Sequence, residues 1–294
     1  MDPNIEQKFE KMGARINIGE NPVPNVRRSD QLEDSSLIVN VINDKKGQIF
    51  DIRYRGKVDI SITDLQPDDR HLVLLAKLFD TNHPHQDPDK IKFLCGHDER
   101  EWFSCQLNDQ SVTTVKSAKL SLRPDPVKHS HRKKNVKHKD RIKRKNEGSL
   151  RQGEWFFIPV DIGDPDMDVI LRNEPLMISN ARGGSKPHIA QYAFRKGGES
   201  VYVPQLPFSM MREDNIGNDE RERLGAGLTE REKKKYFREH PKSKKWNWTH
   251  QIRNPEFYVK GTIRHPDHAT LKLRQWHQVH MNREIRGKFN VFLD

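Results

Sequence analysis

Cysteine is scarce in this chain. There are two, Cys95 and Cys105, in 294 residues, which argues against a disulfide-stapled scaffold, a disulfide-linked partner and a four-cysteine zinc site. Hydrophobic residues are also few, at 33% against roughly 45–50% in ordinary globular domains. No apolar run approaches the roughly 18–20 residues of a membrane helix. The opening Met1-Asp-Pro-Asn-Ile-Glu-Gln-Lys8 lacks the apolar stretch of a secretory leader. These absences predict a cytoplasmic protein with a large wetted surface and no membrane partner. Nucleotide-binding and hydrolase signatures are missing too: no GxxxxGK[ST], no GxGxxG after a strand, no GxSxG and no HExxH. Gly183-Gly184 and Gly197-Gly198 read as turn glycines, since no helix-start pattern follows either.

What the chain does have is one concentrated block of positive charge. Between Lys128 and Lys145 stand Lys128, Arg132, Lys133, Lys134, Lys137, Lys139, Arg141, Lys143, Arg144 and Lys145 against a single acid, Asp140. That block carries +9 of the chain's formal +11, so the remaining residues sum to about +2. Such asymmetry points to a polyanionic partner, with a nucleic acid, DNA or RNA, the first expectation. The block contains no aromatic residue, so it offers no base-stacking platform and would follow a phosphate backbone by charge. A solvated linker, a localisation signal or a site for an acidic protein are the competing readings of the same residues. A membrane-surface role is disfavoured because no apolar face accompanies the charge.

Taken in order, the chain predicts an α+β protein of mostly antiparallel β-hairpins with few helices and one cationic flexible insertion. Residues 1–35 form a polar N-terminal segment, a short helix at most and then a connection. A β-rich half spans 36–124, the basic insertion 125–150, and a second β-rich half 151–294. Ser36–Asn43 and Gln48–Tyr54 read as a hairpin around Asp44-Lys-Lys-Gly47. Arg70–Phe79 is an apolar run of either type, and 111–122 keeps a partly apolar helical spacing. Lys92–Leu107 reads as strand, turn, strand; a turn centred on Arg100 would set Cys95 opposite Cys105 as buried thiols. Ile189–Phe194 and Ser200–Val203 read as a hairpin around Lys196-Gly-Gly198. A helix near 229–240 carries the strongest helix signal, with Thr229 and Glu232 in capping-box spacing and Pro241 ending it. Phe257–Arg264 and Ala269–Leu273 form a last hairpin around His265-Pro-Asp-His268.

Three side-chain groups could carry chemistry. Histidines and a carboxylate gather at His265, Asp267, His268, His277 and His280 within sixteen residues. His265, Asp267 and His268 are the candidate ligands of a divalent metal, although the Pro-Asp spacing also suits a plain turn. His277 and His280 fall on opposite strand faces. A second group, Gly96-His-Asp-Glu-Arg-Glu101, places His97, Asp98 and Glu99 at a hairpin tip, where they could act as acid and base. Together with His265, Asp267 and His268 these are the candidate catalytic residues of a metal-dependent hydrolase or nuclease, the alternative to a binder that requires no cofactor. The third group is Lys244, Lys245, Trp246 and Trp248, an aromatic–basic cluster that could stack on a base or cover a core. Whether the His97 and His265 turns share a cleft decides between these readings.

Overall fold

The structure, a computed structural model, describes residues 2–20, 37–80, 83, 85–163, 165–176, 186–206 and 217–285. Antiparallel sheets dominate, with short helices between them, so the expected α+β class holds in its coarse form. The chain divides into two compact units. One is built from Met1–Gly163, Arg172–Tyr192 and Val259–Asp294, the other from Asp164–Leu171 and Ala193–Tyr258. Among the described residues no helix is long and apolar enough to cross a membrane.

In the first unit, helix α1 (Ile5–Lys11) is followed by β1 (Ile16–Glu20), β2 (Leu37–Asp44) and β3 (Gly47–Tyr54). β2 and β3 make the expected hairpin, closing at Asp44 opposite Gly47. β1 was not expected. It pairs parallel to β3, with Ile16 opposite Phe50. Its sequence, Ile-Asn-Ile-Gly-Glu, is too short and too mixed to stand out, and each residue pairs with one 34 positions further on.

β4 (Val58–Gln66), β5 (His71–Leu78), β6 (Asp89–Asp98) and β7 (Glu101–Leu107) form a meander extended by β16 (Glu284–Ile285). The ambiguous run at 70–79 is thus a strand, and it lacks polar alternation because both its faces are covered. Leu72, Leu74 and Ala76 pack with Phe9, Phe50, Ile52 and Phe93 under the first sheet. Val73 faces the other way, with Leu94, Cys105 and Leu107, onto α2 (Val115–Ser121). α2 settles the 111–122 segment as helix, opened by a capping box between Thr114 and Ser117.

The cysteine pairing needs correction. The β6–β7 loop is two residues, Glu99 and Arg100, with Asp98 opposite Glu101. Cys105 therefore pairs with Leu94, and Cys95 with Ser104. A register slip of one residue sends side chains to opposite faces, and the two thiols lie in different core clusters. Both are buried and free, and burial pushes the Cys95 thiol up to about 12.

A six-stranded sheet has the order β10 (Leu171–Leu176), β11 (His188–Lys196), β14 (Glu256–His265), β15 (His268–Met281), β9 (Trp155–Pro159), β8 (Leu150–Gln152). The hairpin expected around Gly197-Gly198 does not form. β12 (Glu199–Gln205) pairs instead with β13 (Asn247–Arg253), Val201 opposite Gln251. Both glycines hold positive φ, 68° and 91°. A Cβ on Gly198 would sit 2.5 Å from Ile252 and 2.9 Å from the Arg253 carbonyl. The glycine pair thus lets the chain leave one sheet and enter another, which a sequence pattern alone does not separate from a tight hairpin.

The second unit also holds α4 (Asn218–Gly225) and α5 (Glu230–Glu239). Thr229 and Glu232 close the predicted capping box on α5, and a 3₁₀ turn begins at Pro241. Leu224, Leu228 and Tyr236 form its core, with Trp246 and Trp248 packed against them.

Gly96 shows how tightly the first unit is packed near its loops. A Cβ there would lie 2.3 Å from His71 Cδ2, a buried ring held edge-on to Phe103. Gly96→Ala is expected to destabilise the fold by about 1–3 kcal/mol through overpacking. Adding His71→Ala should return part of that loss in a denaturant double-mutant cycle; additive losses would show that the contact is not the cause.

Candidate functional site

The basic segment is built into the fold at its start. Helix α3 (Asp125–Lys133) opens with Pro126 in its first turn, where the missing amide costs nothing. Val127 is fully buried against Phe156 and Ile158. Ser130 Oγ donates to the Gly148 carbonyl at 2.7 Å, and His131 Nε2 lies 2.9 Å from Ser149 Oγ. Past the helix, Asn146 Oδ1 accepts from the amides of Gly148 and Ser149 at 2.9 and 3.0 Å. The Arg151 amide donates to the Arg144 carbonyl at 2.7 Å, which closes the loop.

Most of its charge faces outward. Arg132, Lys133, Lys134, Lys137, Lys139 and Lys145 are exposed, and no described carboxylate stands within ion-pair distance of them, although Asp140 feels the charge of Lys137 and Lys139, and Asp125 that of Arg132. Lys128 pairs with Asp125, Lys143 with Asp140 at 2.7 Å, and half-buried Arg141 donates to the Val136 carbonyl. Arg144 is the exception that turns inward. Its guanidinium pairs with both Asp98 and Glu99, and Arg151 adds a second cation on Asp98 at 3.0 Å.

The same two-residue loop reaches the histidine turn. Glu99 Oε2 accepts the Ala269 amide at 2.6 Å and lies 3.5 Å from His268 Nδ1. Arg100 donates to the Pro266 carbonyl at 2.9 Å. The His97 and His265 turns, 170 residues apart at Glu99 and Ala269, therefore do share a site. A cavity of about 90 Å³ opens beside them, bounded by His71, Asp98, Arg151, Glu154, His268 and Glu284 among others. That is room for several waters or a small polar group. Burial, and then Lys119, push the His71 imidazole down to about 4.

Within the histidine turn the structure brings together a set the sequence did not show. His265 and His268 flank the two-residue loop Pro266-Asp267, and His188 from the first position of β11 joins them. The His188 ring centroid lies 4.2 Å from that of His265 and 5.3 Å from that of His268. Ring nitrogens of the three can be chosen within 4.8 Å of one another, which makes them the residues able to hold a metal. Asp267 borders that set: its carboxylate pairs with Lys186 at 3.2 Å, and its Oδ2 lies 4.0 Å from His265 Nδ1. Burial first, and then His265 and His268, push His188 down to about 3, so it is neutral. Sequence offers one late clue to His188, a histidine at an inward position of a strand whose next inward residue is buried Ala190.

Other expected site residues lie elsewhere. His97 packs edge-on to Trp102 at 4.8 Å and does not line the cavity. His277 is buried against the Gln275 carbonyl. In the second unit Trp246 and Trp248 stack on one another and contact Tyr236, and the Trp248 indole donates to the Ser243 carbonyl at 3.0 Å. Lys244 and Lys245 beside them are exposed. The indoles thus serve the core of that unit. No protein-family model, curated protein or solved structure matches the chain.

His131 gives the basic segment a measurable pH response. Burial, followed by Arg123 and Arg141, lowers its imidazole to about 4 from the ordinary 6.5. The unfolded chain therefore binds a proton that the fold resists, and stability is full above pH 6.5 and falls as pH drops toward about 4. At about 1.36 kcal/mol per unit, His131 should contribute a loss of about 3 kcal/mol across that window. Urea denaturation at pH 7 and pH 4.5 should show a smaller acid loss in His131→Gln; an unchanged loss would mean that His131 is protonated in the fold.

Proposed function

We propose that this protein associates with nucleic acid by taking a phosphate backbone along residues 128–145, largely without regard to sequence. One observation carries the reading: six of the ten basic side chains are exposed, with no described carboxylate within ion-pair distance of them. A folded chain usually neutralises or disperses such charge. Here the buried anchors Val127 and His131 fix the start of the segment in helix α3, and the remaining cations follow in the turns after it. Cations fixed in place release condensed counterions on binding without first ordering a floppy chain.

A second reading, metal-dependent hydrolysis of the bound strand, has its own support. Arg144 belongs to the basic segment yet pairs with Glu99, which in turn lies against His268. A phosphate on the basic segment near Arg144 would then lie beside the imidazoles and the cavity. His188, His265 and His268 would hold the metal, which would supply an activated water, and Asp98 or Glu99 would take up a proton beside it.

Replacing the whole segment by Gly and Ser would remove Val127 and His131 from the core and confuse folding with binding. The test is Lys133, Lys134, Lys137 and Lys139 to Ala together, all on exposed positions. Each lost phosphate contact should flatten the log–log salt slope by about 0.9 on duplex DNA. Four contacts should weaken binding at least about tenfold at low salt. Unchanged affinity and slope would reject the binding reading. End-labelled DNA and RNA incubated with the protein and Zn²⁺ or Mn²⁺ test the second: cleavage abolished by Glu99→Gln supports it, and intact strands reject it.

A further inference from the structure

The structure assigns a zinc-type metal centre to His188, His265 and His268. It does not depend on the nucleic-acid reading. Four observations converge on it.

The first is the state of His188. Its ring is 1% exposed, and its Nε2 has no hydrogen-bond partner. Leaving a buried polar atom unpaired costs stability comparable to a lost hydrogen bond, and a metal ion would give that nitrogen a partner. The second is Gly153, in the loop between β8 and β9, with φ at 56°. A Cβ there would stand 3.0 Å from His268 Nε2 and 3.2 Å from His188 Nε2. Both nitrogens therefore border one small space that any other residue would fill.

The third is the tautomer of His265. Its Nε2 lies 2.8 Å from the Lys186 carbonyl, so Nε2 carries the proton and Nδ1 holds the lone pair. Metal-binding histidines usually donate their second nitrogen to a carbonyl or carboxylate in this manner. The Asp267 amide approaches Nδ1 at 3.2 Å, the long end of the hydrogen-bond range, and would yield to a metal. The fourth is Glu99, whose carboxylate stands 3.5 Å from His268 Nδ1. That contact sets the His268 ring against the Glu99 loop, with Nε2 on the side of Gly153.

Three imidazole nitrogens suit Zn²⁺ or a neighbouring first-row ion. They do not suit Mg²⁺ or Ca²⁺, which take oxygen ligands. Asp267, the carboxylate that turn spacing alone would nominate, is engaged by Lys186, and its Oδ2 stands 4.0 Å from His265 Nδ1, so it is left outside the ligand set. The rings lie within 23° to 33° of parallel, so ligation requires them to turn about their Cβ–Cγ bonds and has a spectroscopic signature.

The full chain, stripped with a chelator, dialysed and titrated with ZnCl₂, should bind one tight equivalent by calorimetry and elemental analysis. Substituted Co²⁺ should give visible bands of four-coordinate intensity. His188→Ala should weaken that site by at least about 100-fold and abolish the bands. Glu99→Gln should weaken it by about 10- to 100-fold, and Asp267→Asn should leave it unchanged. Circular dichroism checks each fold, and where His188→Ala is unfolded His188→Gln carries the comparison. The assignment is overturned if the parent chain binds no stoichiometric zinc, if zinc survives loss of His188, or if Asp267→Asn loses as much as His188→Ala.

Discussion

The Glu99 carboxylate is the interaction on which the rest of this site depends. It sits in a two-residue loop with φ at 56°, a left-handed conformation that a non-glycine residue holds at some cost and that recurs at functional sites. From there it accepts an amide from the histidine turn, lies against His268 and receives Arg144 from the basic segment. Three stretches far apart in the chain meet on two oxygens. Asp98 beside it supports the arrangement from below, pairing with Arg144 and with Arg151. Removing Glu99 would leave Arg144 with one anion and the Ala269 amide with none of its present acceptor.

Local pattern was legible wherever one face of a strand is wet. The 37–54 hairpin, the α5 capping box and the His265 turn could all be read from alternation, turn residues and cap spacing. Pairing was legible only where neighbours in sequence are neighbours in space. β1 reaches a parallel partner across a long connection, and β12 finds β13 rather than β11. The glycine pair at 197–198 promised a tight reversal, and its left-handed geometry instead redirects the chain. One residue of loop length separated the expected register at Cys95 and Cys105 from the real one, and that residue moved the thiols to opposite faces.

The site was half legible for the same reason. His265, His268, Asp98 and Glu99 were singled out because each lies in a dense local cluster at a turn. His188 was not, because its partners are 77 and 80 positions away by number and it stands alone at a strand start. Asp267 attracted notice by proximity to the histidines, yet Lys186 claims it. Sequence distance overrates a neighbour such as His97, whose side chain packs on Trp102 instead. It underrates a residue such as His188 that sheet order delivers to the site.

Charge balance connects the two halves of the site. Asp98 and Glu99 are met by Arg144 and Arg151, and Asp267 by Lys186, so the surroundings of the imidazoles are close to neutral. Burial holds His188 uncharged in that setting. A divalent ion among them would introduce two uncompensated charges in a low-dielectric place. An anion in its open position, hydroxide or a phosphate oxygen, would offset them. Arg144 would then face two attractions, its present carboxylates and that anion. A phosphate backbone lying along the basic segment and a metal among the histidines would each strengthen the other, because each supplies the charge the other lacks.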